Sequence, residues 1–249
     1  MSIILAIDIG NTNITAGIFK GPKLAAKIKF STQKPSLYNS ELRKLLGEVG
    51  LKPSGIEGVI ISSVVPDALS KLLLHLRKNF PSKIKVIGNN ISVPIKNLYR
   101  RKSEVGKDRL VNAFAAKTLY GAPCVIVDFG TAVTFDIISK RGDYLGGLIM
   151  PGIGISLSSL YEKTALLPKV ELKDAPHIIG RDTVGSMRGG ILFGFGAMCD
   201  GLVSRYRKIL GRNMKVILTG GNAKLISKYA HSIQIIDEDI TLKGLRLIY

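Results

Sequence analysis

The sequence predicts an α/β fold of two similar halves, residues 1–118 and 119–249, each a mixed sheet with helices and each turning one loop toward a shared cleft. Three observations carry this. The apolar run Ile3-Ile4-Leu5-Ala6-Ile7 reads as a strand buried on both faces, and it leads straight into Asp8-Ile9-Gly10-Asn11-Thr12-Asn13. The same design returns about 120 residues later, near the usual size of one domain, as Val125-Ile126-Val127-Asp128-Phe129-Gly130-Thr131-Ala132-Val133-Thr134-Phe135. After each copy the periodicity alternates between strand and helix in a comparable order.

Taken in order, Ile3–Ile9, Ile14–Phe19 and Leu24–Phe30 are expected as a strand meander, with Gly21-Pro22 as a turn. Ser36–Val49 places Leu37, Leu42, Leu45, Leu46 and Val49 at helical spacing, and Gly50 supplies a stop. Gly58–Val65 is a buried strand closed by Pro66, Asp67–Asn79 an amphipathic helix, and Lys83–Ile87 a short strand. The polar, basic stretch from Asn89 to Lys107 has no clear period and reads as a connector of the length that often carries function. Asp108–Tyr120 is expected to be helical. In the second half the expected strands are Val125–Phe129, Val133–Ile138 and Tyr144–Ile149, followed by a helix at Ser156–Lys163. Val184–Lys208 follows as a long helix, whose many glycines require compensating close packing. Strand Lys215–Leu218, helix Ala223–Ala230, strand Ser232–Ile236 and a helix after Asp239 close the series.

The composition narrows the function. A chain of 249 residues with 46% hydrophobic residues buries a core easily. Thirty-six Lys and Arg against 18 Asp and Glu give a net charge of +18, which attracts anions without specifying which. Trp is absent and aromatic residues are 6%, which leaves little for base stacking. Cys124 and Cys199, the two cysteines, imply no disulfide framework. No run approaches the ~18 apolar residues needed to span a bilayer, and no signal peptide is apparent, so a cytoplasmic location is expected. The P-loop, the dinucleotide Gly-x-Gly-x-x-Gly and the Gly-x-Ser-x-Gly elbow are all missing. His75, His177 and His231 show no metal-binding spacing.

An aspartate at the end of a buried strand is costly unless paired, hydrogen-bonded or near a cation. With Gly10 permitting a tight turn and Asn11, Thr12 and Asn13 offering amides and small polar groups, the Asp8 loop suits a polyphosphate whose Mg²⁺ it holds through water. A single such loop is equally an ordinary hairpin turn, and it is the second copy that makes the hairpin reading inadequate. Asp108, at the start of a helix after an irregular connector, reads either as an N-cap or as a carboxylate facing a cleft. Its neighbours Lys107 and Arg109 are expected to keep it ionised.

The two Asp-x-Gly-x-Thr-like loops and the later Thr219-Gly220-Gly221 turn resemble the actin/hexokinase-type ATPase superfamily, which implies RNase H-like domains. Within it the chain resembles the type III pantothenate kinases along essentially its whole length. The matching motifs are Asp8–Asn13, Ser62-Ser63-Val64-Val65-Pro66, Gly106–Ala113, Asp128–Thr134, Gly146–Gly152, Ile179–Thr183 and Thr219–Ala223. The resemblance implies ATP-dependent phosphorylation of the primary hydroxyl of pantothenate, the first step towards coenzyme A. It also implies a homodimer and a K⁺ or NH₄⁺ requirement. By carry-over, Asp8, Ile9, Gly10, Asn11, Thr12, Asn13, Ile14 and Thr15 hold the ATP phosphates, with Asp8 near Mg²⁺ and Thr131 adding a phosphate contact. Asp108 is the general base and Asp128 the monovalent-cation ligand, although hard oxygen ligands alone do not separate K⁺ from Mg²⁺. Tyr99, Gly106, Lys107, Asp108, Arg109 and Thr183 line the pantothenate site. Lys107, Asp182 and Asn222 depart from the family pattern. Competing readings are a kinase for another small acid or sugar, and a non-catalytic regulatory or nucleic-acid-binding protein that kept the fold. No specific nucleic-acid or membrane partner is expected.

Overall fold

The computed structural model describes residues 2–249. In chain order the elements are β1 (Ile3–Ile9), β2 (Asn13–Lys20), β3 (Lys23–Ser31), α1 (Tyr38–Glu48), β4 (Gly58–Ser63), α2 (Pro66–Asn79), β5 (Lys83–Val86) and α3 (Lys107–Tyr120). They continue with β6 (Cys124–Phe129), β7 (Ala132–Ile138), β8 (Tyr144–Pro151), α4 (Ile153–Lys163), α5 (Thr183–Leu210), β9 (Lys215–Thr219), α6 (Ala223–Ile226), β10 (Ile235–Ile236) and α7 (Ile240–Ile248). They form two five-stranded mixed sheets of order β3-β2-β1-β4-β5 and β10-β9-β6-β7-β8.

The chain divides into two compact units. The first holds residues 2–95, 100–115 and 239–249, and the second holds 96–99 and 116–238. This differs from two contiguous halves, and apolar packing explains why. In the first unit, Leu242 and Leu245 of α7 join Ile4, Ala6, Phe19, Ile60 and Val111 in one buried cluster on the sheet. Arg246 Nε donates to the carbonyl of Gly21 at 3.0 Å, and Lys27 reaches Asp239 at 2.7 Å. Residues 96–99 lie along the edge of β8 in the second unit, where the Leu98 amide donates to the Tyr144 carbonyl at 2.9 Å.

Central strands β1 and β6 are apolar because both faces are covered. Leu5, Ile7 and Ile9 face a cluster with Leu42, Leu45 and Leu72 from α1 and α2, while Ile4 and Ala6 face the α7 side. Val125, Val127 and Phe129 meet Leu192, Cys199 and Val203 of α5 in the same manner. The long glycine-rich helix exists because part of it is packed too closely for a side chain. A Cβ on Gly196 would stand 2.1 Å from the Tyr229 carbonyl oxygen. Both cysteine thiols are buried, and burial pushes each up to about 12.

Two elements are shorter than their sequence patterns suggest. The expected helix Ala223–Ala230 stops at Ile226, because bonds such as Tyr229 N–H to Ile226 C=O tighten its end into a turn that seats Tyr229 against Gly196. The expected strand Ser232–Ile236 keeps two strand residues. Ahead of them the Gln234 side chain accepts from the Val216 amide at 3.0 Å, where a backbone carbonyl would otherwise serve. In the other direction, α4 begins at Ile153, three residues before the expected Ser156. No helix of the described residues is long and apolar enough to cross a membrane.

Candidate active site

Register places the two strand aspartates. In the first unit Asp8 on β1 lies opposite Thr15 on antiparallel β2 and beside Ser62 on parallel β4. Side chains alternate along a strand, so Asp8 continues the face of Ile4 and Ala6, and Ser62 continues the face of Ile60. In the second unit Asp128 on β6 lies opposite Thr134 on β7 and beside Thr219 on parallel β9. Each unit thus carries, as the penultimate residue of its central strand, an aspartate with a hydroxyl residue on either side.

The loops after these aspartates are built alike. The Gly10 amide donates to the Asn13 carbonyl at 3.0 Å, and the Gly130 amide to the Ala132 carbonyl at 3.1 Å. The first turn is thus one residue longer. Asn11, Thr12 and Thr131 are exposed at the loop tips. Ile9 and Ile14 are fully buried in the core, so any nucleotide contact they make is through backbone. Thr32, which composition gave no reason to single out, latches the first loop. Its Oγ1 donates to the Gly10 carbonyl at 2.7 Å, its amide donates to the Thr12 carbonyl at 3.1 Å, and its own carbonyl accepts from Tyr38 Oη at 2.6 Å. The second loop is held by close approach. A Cβ on Gly152 would meet the Thr131 carbonyl oxygen at 2.1 Å, and one on Gly220 would meet Asp128 Oδ1 at 2.4 Å.

Helix α3 starts one residue earlier than expected, which makes Asp108 a first-turn residue and not the N-cap. Its Oδ1 accepts from the Arg109 amide at 2.8 Å, one of the donors that a helix start leaves unused. Gly106 leaves room for this carboxylate, since a Cβ there would lie 2.5 Å from Asp108 Oδ1. Of the two neighbours expected to favour the charged form of Asp108, Arg109 does so. Burial pushes the carboxyl up, and the Arg109 amide and guanidinium offset this only in part. Lys107 lies elsewhere, with its Cε within 2.7 Å of where Gly88 would carry a Cβ. Arg109 itself is buried.

The remaining candidates belong to the second unit. The Tyr99 ring packs against Gly146, within 3.1 Å of the point where a Cβ would be. Thr183 opens α5 and is exposed, and Asp182 caps that helix by accepting from the Gly185 amide at 2.7 Å. The Asp182 departure therefore keeps the role an asparagine would fill, since both are good caps. Behind Asp128 on the same sheet face, fully buried Asp136 accepts from Tyr144 Oη at 2.8 Å and from Thr134 Oγ1 at 3.1 Å.

Among the described residues no three His, Cys, Asp or Glu are grouped to hold a metal ion. The donors fit Mg²⁺ nonetheless, because that ion keeps several waters and needs one or two carboxylates beside substrate phosphates. Asp8 at a strand end flanked by hydroxyls is such a donor set.

Two aspartate-ended sheets with glycine-built loops are the frame of ATP-dependent phosphotransferases of the actin/hexokinase type, and solved structures agree on the fold. The chain is similar to a ROK hexokinase from Thermus thermophilus (TM-score 0.50, 13% identity, 99% of this chain and 98% of that one). It is also similar to component A of the (R)-2-hydroxyglutaryl-CoA dehydratase of Acidaminococcus fermentans (TM-score 0.58, 12% identity, 98% and 95%). The family model for type III pantothenate kinase matches residues 4–205. Type III pantothenate kinases of Myxococcus xanthus and Moorella thermoacetica are 41% and 40% identical, each over 99% of this chain and 98% of the relative. The chain belongs to the type III pantothenate kinase family. Its activity is the phosphorylation of pantothenate by ATP with a divalent metal, on the route to coenzyme A. The regulatory and nucleic-acid readings find no support in these matches.

Proposed function

We propose that Asp108 is the general base of this reaction, accepting the proton of the pantothenate hydroxyl as it attacks the γ-phosphate. The observation that carries the assignment is a carboxylate pushed up by burial yet held in a fixed position by the Arg109 amide. A base whose affinity for protons is raised toward the working pH is the more effective one. Phosphoryl transfer asks the protein chiefly for positioning and charge neutralisation, and the remaining residues are assigned on that basis. Asp8 holds Mg²⁺ through water, and the backbone and side chains from Asp8 to Thr15 bind phosphate oxygens. When bound, Mg²⁺ neutralises charge on the transferring phosphoryl group. Thr131 adds a phosphate contact. Arg109 holds the pantothenate carboxylate, for which a planar guanidinium suits better than an ammonium. Gly106, Lys107, Tyr99 and Thr183 complete the substrate contacts. Asp128, pressed against Gly220 and close to Gly130, takes K⁺ or NH₄⁺.

A homodimer in the cytoplasm completes the reading. Along α5 the exposed residues Gly190, Gly194, Ala197 and Gly201 repeat at helical spacing, and three of them, the glycines, have open space where a Cβ would be. Such a stripe lets a second backbone approach closely, and exposed Ile178 and Ile179 add apolar surface.

The test is ADP release from MgATP with and without pantothenate, in K⁺ and then in Na⁺. Pantothenate-dependent turnover that is strong in K⁺ and weak in Na⁺ is expected, and Asp108→Asn should lose 10²–10⁴-fold in kcat, the usual scale for a general base. Equal rates in the two salts would remove the cation assignment. Near-wild-type turnover by Asp108→Asn would remove the base.

A further inference from the structure

The motif Ser62-Ser63-Val64-Val65-Pro66 ends β4, and its two serines have different fates. Ser63 is spent on the chain: its Oγ accepts from the Val65 amide at 3.1 Å, shaping the entry to α2. Ser62 is wholly buried, and its Oγ has no hydrogen-bond partner. A hydroxyl left in that state costs stability, and a valine- and isoleucine-rich strand such as β4 offers no reason for it. What sets Ser62 apart is its neighbour. It is the residue paired in register with Asp8 across the parallel β1–β4 ladder, on the same sheet face. The second unit carries a hydroxyl at the equivalent place, Thr219 beside Asp128.

We propose that Ser62 is a positioning residue for the Asp8 site: its hydroxyl donates a hydrogen bond to the Asp8 carboxylate, or to a water of the ion that carboxylate holds, once the Mg²⁺–nucleotide is bound. This rests on the assignment of Asp8 to the Mg²⁺–nucleotide. Adjacent parallel strands lie about 4.8 Å apart, so a serine rotamer is close to a carboxylate on the next strand or to water bound by it. A second donor fixes which oxygen of Asp8 faces the ion, the role that outer hydrogen bonds play at carboxylate sites. The unmet hydroxyl is thus the cost of a donor kept ready for a loaded state.

The experiment uses the full chain and MgADP, without turnover. Isothermal titration measures ADP affinity across a Mg²⁺ series for wild type, Asp8→Asn, Ser62→Ala and Ser62→Cys, alongside thermal melting of each ligand-free protein. Asp8→Asn should abolish the Mg²⁺ enhancement. Ser62→Ala should weaken the apparent Mg²⁺ affinity about tenfold, the scale of one hydrogen bond to a charged group, while ADP affinity without Mg²⁺ is unchanged. Its ligand-free melting temperature should be equal to wild type or higher, because an unmet polar atom has been removed. Ser62→Cys, a weak donor of similar size, should fall between. A purely structural serine would give the opposite pattern, with lower melting and unaltered Mg²⁺ dependence, and that result overturns the proposal. If Asp8→Asn keeps the enhancement, the underlying Asp8 assignment has failed and the proposal falls with it. If Asp8→Asn loses it and neither serine variant shifts it, only the Ser62 role has failed.

Discussion

Gly220→Ala puts the geometry of the second loop under direct test. Gly220 has φ +94°, a region in which an L-residue is strained by roughly 1–2 kcal/mol. The added Cβ would also stand 2.4 Å from Asp128 Oδ1 and 2.6 Å from the Phe129 carbonyl carbon. The Phe129 backbone has little freedom to retreat, since β6 is hydrogen-bonded to β7 on one side and β9 on the other. Relief must come from the carboxylate and the Thr219-Gly220 turn, which have to open by about 1 Å to restore ordinary contact. A misplacement of that size costs on the order of 10²-fold in rate. At roughly 2 kcal/mol in total, a chain of this length should melt about 4–8 °C lower. The assay is kcat/KM for pantothenate at several K⁺ concentrations, with melting by calorimetry. Gly47→Ala is the control, because its Cβ meets nothing within 4 Å inside α1. It should stabilise by up to about 1 kcal/mol with unaltered kinetics. If Gly220→Ala retains wild-type kcat/KM and melting, the close packing of Asp128 against this turn is not what the loop depends on.

Two further outcomes are expected. Because the folded chain holds the proton of Asp108 more tightly than the unfolded chain does, ionising it costs stability as pH rises from its ordinary value of 3.8 through the raised one. The melting temperature of Asp108→Asn minus that of wild type should therefore increase with pH across that window and then level off; a difference independent of pH would contradict the burial argument. Cys124 and Cys199, with thiols held near 12, should resist a thiol reagent at pH 8 in the folded protein and react fully in denaturant, and rapid labelling of the native chain would refute their burial.

The strands at Ile3 and Val125 are legible in the sequence because a strand covered on both faces must be apolar throughout, and the aspartates that end them stand out against that background. The helix at Lys107–Tyr120 is legible for its apolar positions, but the state of Asp108 is not, since burial depends on what packs over the helix start. The pairing of Ser62 with Asp8 is equally hidden: it depends on a parallel register between strands more than fifty residues apart, which no local pattern encodes. Thr32 and Tyr38 hold the first loop through backbone carbonyls, and Gly152 makes room for Thr131. A glycine or threonine in such a role looks like any other until the approaching atom is known. The length of α6 was decided by the fit of Tyr229 on Gly196, a tertiary contact that overrides a helical propensity.

The return of α7 to the first sheet has a consequence for biogenesis. During synthesis, Ile87 and Val111 are available to the Ile4–Ala6–Phe19 surface well before Leu242 and Leu245, which complete its cover. The second unit, drawn mainly from residues 116–238, is delivered whole in the meantime. The first unit is thus completed only after the second, and part of an apolar sheet face is open to chaperones or to misassociation until α7 is made.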